Sequence, residues 1–395
     1  MIDKKKIFYS LILLALFFVV FWFGVFTGRN QFACKVCKPE TIDFSLFWDA
    51  YNKLHQNFIN SDSIDDQKII YGAISGMARS LGDPYTEFFD PSKAKIFEQD
   101  LQGSFDGIGV EIGIKKDQLI IIAPLKGTPG EKAGLKSGDQ IIKIDQKSTS
   151  NMSVDEAAGI IRGEKDTKVT LTIFRDVWNQ TRDIKIVRDT IKIDPVDWQL
   201  KDGNIAYINI RHFNQPLSSD FKKVAFEILK SPAKKIVLDL RNNPGGYLEV
   251  SQYIAGWFLK SGQAVTIEDF GKNKNQQPYL AEGNSALAEY PMVVLINKGS
   301  ASASEILAGS LKEHKNITLI GEKSFGKGSV QKVVNLEDDA SFLKITIAKW
   351  LTPKGNLISE IGLNPDIKID LTDDDIKLNK DPQLDKAIEI IRSLK

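Results

Sequence analysis

The sequence predicts a multidomain α+β/α/β protein: an N-terminal transmembrane helix, a helical region, a small partly open β-barrel and a larger α/β core. Three observations carry this. Residues 7–26 form an unbroken apolar run behind three lysines. Residues 103–190 hold short β-rich runs with room for two short helices. Residues 191–370 alternate strand and helix patterns, which implies right-handed crossovers and sites at loop ends.

Composition bounds the function. A chain of 395 residues suits two to three domains at roughly 100–200 residues each. The 42% hydrophobic content, with 22 Phe, excludes disorder as the main state. A net charge of +1 argues against a nucleic-acid binder. His55, His212 and His314, with Cys34 and Cys37, leave little material for a His/Cys metal site or a disulfide scaffold. A His-based catalytic triad is poorly stocked.

The apolar run has 20 residues without a charge, enough for a hydrocarbon core of ~30 Å. Lys4, Lys5 and Lys6 precede it, so the positive-inside bias puts the N-terminus in the cytoplasm and everything after Arg29 outside. A cleaved signal peptide has a shorter apolar region and a small-residue site, and Thr27 to Asn30 offer only a weak one. A lipoprotein signal at Cys34 is weakened by Gln31 and Phe32. The expectation is an uncleaved, single-pass anchor in a bacterial-type cytoplasmic membrane with an extracytoplasmic body. Without residues 1–30 that body has 48 basic and 50 acidic residues, net −2. Cys34 and Cys37 form a C-x-x-C beyond the anchor, read as a local staple or free thiols, since no thioredoxin-like β-α-β context is nearby.

Along the exported chain, Phe44, Phe47, Trp48, Tyr51, Leu54 and Phe58 recur at helical spacing over 42–60, with His55 at the stripe's border. A second helix at 65–80 stops at Gly82-Asp83-Pro84. The barrel strands are read at 109–114, 119–123, 140–144, 168–174 and 183–187, with helices at 129–134 and 154–161. In the core, strands at 204–210, 235–240 and 292–296 precede helices at 218–229, 248–259 and 304–312. Strands follow near 318–320, 330–336 and 343–350, with an exposed loop at 271–283 and a final amphipathic helix at 382–394.

Two segments carry chemistry. Asn297-Lys298-Gly299-Ser300-Ala301-Ser302-Ala303-Ser304-Glu305-Ile306 is a run of small and hydroxylated residues between a buried strand and a helix. A nucleophile at such a turn stands above the sheet, and the helix N-terminus offers free N–H groups to an oxyanion. Ser302 sits there. A serine needs a base, and a lysine serves if burial lowers its pKa. Lys327, in Gly326-Lys327-Gly328-Ser329-Val330-Gln331, is that candidate. On an extended strand 327, 329 and 331 face one way, so Gln331 is positioned to hold the lysine. The same residues also fit tight loops and helix caps: Ser302 or Ser304 as an N-cap, Gly-Lys-Gly as an exposed turn. A phosphate-loop pattern fails because Lys327 is followed by Gly328.

These segments together resemble the core of the carboxy-terminal processing (tail-specific) serine proteases, including the 25-residue spacing from Ser302 to Lys327. Leu240-Arg241-Asn242-Asn243-Pro244-Gly245-Gly246 is similar to that family's glycine loop. Leu81-Gly82-Asp83-Pro84-Tyr85-Thr86 is similar to its N-terminal helical signature, and Tyr207 to Phe213 to the strand opening its catalytic core. The resemblance spans roughly residues 42–370 and implies a crotonase/ClpP-like α/β protease core. It implies Ser302 as nucleophile, Lys327 as general base, Gln331 orienting the lysine, and the N–H groups of Gly246 and Ala303 as the oxyanion hole. The glycine is expected to keep a side chain out of the substrate carbonyl's path. Ser300 and Ser304 are the competing serines; Glu305 and Glu313 are assigned to solvated helix faces.

The barrel resembles the PDZ domain of the same family. Gly107-Ile108-Gly109-Val110 is similar to the carboxylate-binding loop, and Gly127 to Asp139 to its helix and turn. Asp166 departs from the pattern, where glycine is common. Arg162 reads either as a polar switch between barrel and core or as an ordinary surface arginine.

The domain assignment is therefore 1–40 cytoplasmic tip, anchor and stalk; 41–100 helical region; 101–190 PDZ domain; 191–372 protease core; 373–395 C-terminal helical tail. The expected activity is a membrane-anchored serine endopeptidase that captures apolar C-terminal tails of extracytoplasmic proteins and cleaves through a Ser302–Lys327 dyad. It needs no metal or cofactor, and the resemblance implies a homodimer through helical ends. The competing readings are a non-catalytic PDZ tether and an acyl-CoA enzyme of crotonase type.

Overall fold

The computed structural model of the chain describes Leu14 and residues 16–23, 42–115, 118–175, 177–192, 194–271, 274–359, 361–372, 374–375, 378 and 380–394. Of the expected span at 7–26, Leu14 and residues 16–23 are described, helical and exposed. Among the described residues no helix is long and apolar enough to cross a membrane. Lys4 to Lys6, Arg29, Cys34 and Cys37 lie outside the described residues.

The chain divides into two units, Met1–Ile70 and Tyr71–Lys395. In the first, the apolar spacing gives a helix at Ser45–Asn57. None of its residues is buried, and Phe44, Trp48, Leu54 and Phe58 are exposed. The rings pack edge to face on one another, Phe47 to Trp48 at 5.1 Å and Trp48 to Tyr51 at 5.9 Å. His55 Nε2 and the Tyr51 hydroxyl meet the same oxygen of Asp66, at 2.9 and 2.7 Å.

The second unit contains the expected β-α alternation. One six-stranded sheet runs Val196–Lys201, Ile205–Ile210, Lys235–Asp239, Met292–Ile296, Thr318–Gly321, Ile367–Lys368, with the first pair antiparallel and the rest parallel. Central strands such as Met292–Ile296 are buried at every position, as both faces of a parallel sheet must be covered. Helices Leu217–Lys230, Leu248–Phe258 and Ala303–Lys315 cover one face, through Ile236, Leu238, Val294 and Ile296. Helix Pro382–Ser393 covers the other, setting Ala387 and Ile391 on Val237, Val293 and Leu295. The segment expected as a tail is thus a layer of the core.

The last core strands depart from the α/β expectation. Ser329–Asn335 and Phe342–Leu351 leave the parallel sheet and pair antiparallel in a second sheet with Glu87–Phe89, Ala264–Asp269 and Gln277–Leu280. The physical reason is the short connection at 336–341. It is too short for a crossover helix and long enough for a hairpin. Strand Gln277–Leu280 also falls inside the stretch expected as an exposed loop.

The barrel strands are Val110–Lys115, Gln118–Pro124, Gln140–Ile144, Lys168–Phe174 and Arg182–Val187, with Lys147–Ser148 at the side. Helix Val154–Ile161 matches its expected bounds and opens with a Ser153–Glu156 capping box. Asp166 has φ 66°, the left-handed conformation that makes glycine common at such a position, and aspartate tolerates it. Two elements outside the expectation join barrel to core. Helix Pro91–Leu101 is N-capped by Asp90, and strand Ser104–Gly107 pairs with Asp189–Lys192 in a two-stranded ribbon.

Candidate active site

The parallel strand Met292–Ile296 runs out into a loop that folds tightly on the glycine loop after strand Lys235–Asp239. Asn297 and Asn242 exchange hydrogen bonds at 2.7 and 2.8 Å. Fully buried Asn243 does more. Its side chain donates to Ile210 O and accepts from the Gly245 N–H, while its carbonyl accepts from the Ala301 N–H and the Ser304 hydroxyl. Small residues are needed for this approach. A Cβ on Gly245 would sit 2.8 Å from the Cβ of Ser302.

Ser302 closes this loop at the N-terminus of helix Ala303–Lys315, with φ 54° and ψ −116°. A positive φ is uncommon for a residue with a side chain and marks a sharp turn held by its surroundings. The two neighbouring serines are fully buried and occupied: the Ser300 hydroxyl donates to Leu240 O and that of Ser304 to Asn243 O, both at 2.8 Å. Ser302 is half-buried and lines the main cavity of ≈ 470 Å³ with Ala303, Gly246, Lys327 and Gln331. The five expected core-site residues are therefore brought together.

Glycine is required at 246 for a reason additional to the one expected. Its φ is 140°, and a Cβ there would lie 2.3 Å from Phe213 O. Phe213 pairs with this loop, donating its N–H to Gly245 O and accepting from the Tyr247 N–H. The obstruction is the protein's own backbone. Gly328 follows the same rule, since its Cβ would meet Ser359 N at 2.0 Å. The Ala303 N–H is the first of its helix, among the donors with no partner inside a helix.

The main correction concerns Glu305, expected on a solvated helix face. It is fully buried. Oε1 accepts from the Ser324 hydroxyl at 2.6 Å and the Gly326 N–H at 2.7 Å. Oε2 accepts from the N–H groups of Ser302 and Lys327, both at 2.9 Å. One carboxylate thus ties the serine turn to the lysine loop. Burial pushes its pKa up, and the four donors pull it back. Glu313 is also structural, holding the turn at Thr352, Lys354 and Asn356 at 2.6–3.0 Å.

Lys327 is half-buried. Burial pushes its ammonium below the ordinary lysine range, Lys344 pushes the same way, and Glu305 opposes both. Its Nζ lies 5.7 Å from the Tyr85 ring centroid. Tyr85 belongs to the Leu81–Thr86 signature, whose Gly82-Asp83-Pro84 stops the preceding helix in the sequence reading. Asp83 binds the Tyr85 N–H and the Thr86 hydroxyl, and Thr86 Oγ1 accepts from Thr346 N, fixing the loop on strand Phe342–Leu351. Among the described contacts the Gln331 amide donates to the Ser329 hydroxyl at 2.6 Å, and no hydrogen bond joins it to Lys327. Lys327, Ser329 and Gln331 nonetheless line one cavity, as the expected alternation requires.

His212 lines the cavity, with its Nδ1 buried and among the described atoms without a hydrogen-bond partner. Burial lowers its pKa and Asp100 opposes. His314 is structural, its Nε2 2.7 Å from Ala264 O. Among the described residues no cluster of three or more His, Cys, Asp or Glu could hold a metal ion.

On the barrel, Gly107, Ile108, Gly109 and Val110 line a smaller cavity of ≈ 90 Å³ against Ala158 and Ile161 of helix Val154–Ile161. Gly109 has φ 69°, and a Cβ there would lie 2.4 Å from that of Thr128, so the turn requires glycine. Arg162 closes this cavity. Its guanidinium lies 4.7 Å over the Phe105 ring and 3.1 Å from Asp100, which itself lines the Ser302 cavity. Arg162 therefore bridges the barrel cavity to the wall of the larger one.

Comparison with known proteins agrees with this architecture. Residues 204–369 match the model of peptidase family S41, residues 95–174 that of the PDZ domain, and residues 33–93 that of the activating protease CtpB N-terminal domain. The carboxy-terminal processing protease CtpA of Bacillus subtilis is 40% identical over 329 residues, covering 82% of this chain and 70% of that protein. A probable CtpA-like serine protease of Staphylococcus aureus is 36% identical over 341 residues, covering 86% and 68%. Among solved structures, a photosystem II D1 C-terminal processing protease superposes with TM-score 0.53 at 31% identity, over 83% of this chain and 89% of that one. A putative S41 protease from Bacteroides fragilis, 16% identical, shares the fold with TM-score 0.57 over 91% and 100%. With an S41 core and a PDZ domain around one serine-lined cleft, the chain belongs to the carboxy-terminal processing (tail-specific) serine peptidases of family S41.

Proposed function

We propose that this peptidase is a membrane-anchored endopeptidase that captures apolar C-terminal tails through its PDZ domain and cleaves by a Ser302–Lys327 dyad. The observation that carries the dyad is Glu305, one buried carboxylate bonded to the backbone of both residues at the edge of one cleft. Neutral Lys327 takes the Ser302 hydroxyl proton as Oγ attacks the scissile carbonyl. The N–H groups of Gly246 and Ala303 receive the oxyanion; one such donor is typically worth about 2.7–4 kcal/mol. Collapse of the adduct expels the amine, which leaves with the proton held by Lys327. Water then attacks the acyl-enzyme by the same route. Gln331 keeps its place beside the base by bonding Ser329, which also lines the cleft.

Strand Val110–Lys115 and the loop 107–110 form the tail-binding groove of this reading. A peptide adds along the strand, and its carboxylate meets the backbone N–H groups of the loop. The three lysines before the apolar run 7–26 support an anchor with the catalytic body outside. The test uses a reporter peptide with an apolar free C-terminus. Ser302→Ala and Lys327→Ala each abolish cleavage while circular dichroism stays unchanged. Near-normal turnover by either variant refutes the dyad, and tail binding without cleavage by the unaltered protein favours the tether reading.

A further inference from the structure

The cleft contains two lysines, and only one has a role in the proposed chemistry. Lys344 lies on strand Phe342–Leu351, with Val333 opposite on one side and Glu87 on the other. Its side chain is only 18% exposed. The ammonium sits 4.6 Å from the Phe89 ring centroid, 5.7 Å from that of Phe97 and 3.6 Å from Glu87 Oε2. Two ring faces and a carboxylate hold the ammonium in place. We propose that Lys344 is a positioning residue for the reaction: a fixed second ammonium on the cleft wall that holds Lys327 in its proton-free form.

The proposal rests on Lys327 being the base. Two ammonium groups in one partly desolvated cavity repel. The surroundings of the two differ: Lys344 has the Glu87 carboxylate beside it. Among the described residues no carboxylate lies within ion-pair distance of Lys327 Nζ. Glu305, the nearest acid by its contacts, spends both oxygens on four other donors. From other elements the cavity is faced by Asp100 of helix Pro91–Leu101, paired with Arg162, by Glu249 of helix Leu248–Phe258, by His212, and by Tyr279, whose hydroxyl donates to Glu268. Tyr85 stands over Lys327 from the loop before Glu87–Phe89. Burial and the charge of Lys344 act on Lys327 in the same direction, while Glu305 acts in the other.

The experiment measures kcat/KM against pH on the full chain with the reporter peptide. The acid limb reports the pKa of the free enzyme's base. Lys344→Met is expected to move that limb up by about one pH unit, about a tenfold loss below it, with the high-pH plateau retained. Lys344→Arg keeps the limb in place. Glu87→Gln, which strips the counter-charge from Lys344, moves it down. The pH dependence of Ser302 labelling by a sulfonyl fluoride gives a second readout independent of peptide binding. A limb unmoved in Lys344→Met, or a uniform loss at every pH, overturns the proposal. If Lys344→Met does not fold, an unmoved or upward limb in Glu87→Gln does so instead. Activity surviving in Lys327→Ala overturns the dyad itself, whatever the Lys344 variants show.

Discussion

Replacing Glu305 by glutamine separates the roles of this buried acid most sharply. Four donors converge on its two oxygens at 2.6–2.9 Å. Glutamine keeps one accepting oxygen and puts an NH2 where the other was. The better-buried donors, the Ser324 hydroxyl and Gly326 N–H, retain the oxygen, so the NH2 faces the N–H groups of Ser302 and Lys327. Two donors are left without an acceptor, at about 1–3 kcal/mol each. If about 2–4 kcal/mol of that appears as misalignment of nucleophile and base, kcat falls roughly 30- to 1,000-fold. KM should change little, because the cleft lining is untouched. Glu313→Gln is the control. It lies on the same helix and also loses hydrogen bonds, but to the turn at 352–356, so stability should drop while kcat holds. Steady-state kinetics on the reporter peptide, with thermal melts of both variants, measure the two effects. A folded Glu305→Gln enzyme within about threefold of the original kcat would falsify the clasp.

Gly246→Ala places a Cβ against Phe213 O at 2.3 Å, so the loop must shift. Cleavage and Ser302 labelling are expected to be lost, while tail binding to the PDZ domain, measured by fluorescence polarisation, is retained. Lys327→Met should be inactive yet more stable near neutral pH. The folded-state pKa of this lysine is depressed, so its contribution disfavours the fold below the ordinary lysine range and fades as pH rises above it. Melting curves at pH 7 and near pH 11 should show the gain at the first and its disappearance at the second. Asp381→Ala removes an N-cap at 3.0 Å and the bidentate contact to Arg241, whose two bonds are each 2.8 Å. Because Asp381 is 35% exposed, a loss of only about 1–3 kcal/mol in urea unfolding is expected, with helix Pro382–Ser393 exchanging its amide protons first. Unchanged exchange in that helix would refute its docking through Arg241.

Helices and strands with strong periodicity were legible in the sequence to within a residue or two. Examples are Val154–Ile161, Met292–Ile296 and Lys168–Phe174, where local spacing and tertiary burial agree. The serine turn, the lysine loop and the glycine loop were legible too. Each is a short run of small residues around one reactive group, and steric need leaves that trace in composition. Glu305 was not. An acid in the first turn of a helix has the same local pattern whether it faces water or four donors, and those donors come from residues 302 and 324–327. The same holds for Lys344, which reaches the cleft because strand Phe342–Leu351 pairs with Ser329–Asn335, and for Tyr85, which reaches Lys327 where Phe342–Leu351 pairs with Glu87–Phe89.

The sequence by itself determined the β-α order, the barrel and the candidate serine and lysine, because these depend on residue type and spacing along the chain. Only the tertiary structure decided which sheet the strand after Lys327 joins, which backbone atoms bar a side chain at position 246, and which charges surround Lys327. Those depend on distances between segments far apart in sequence. No local pattern encodes such distances until packing brings the segments together.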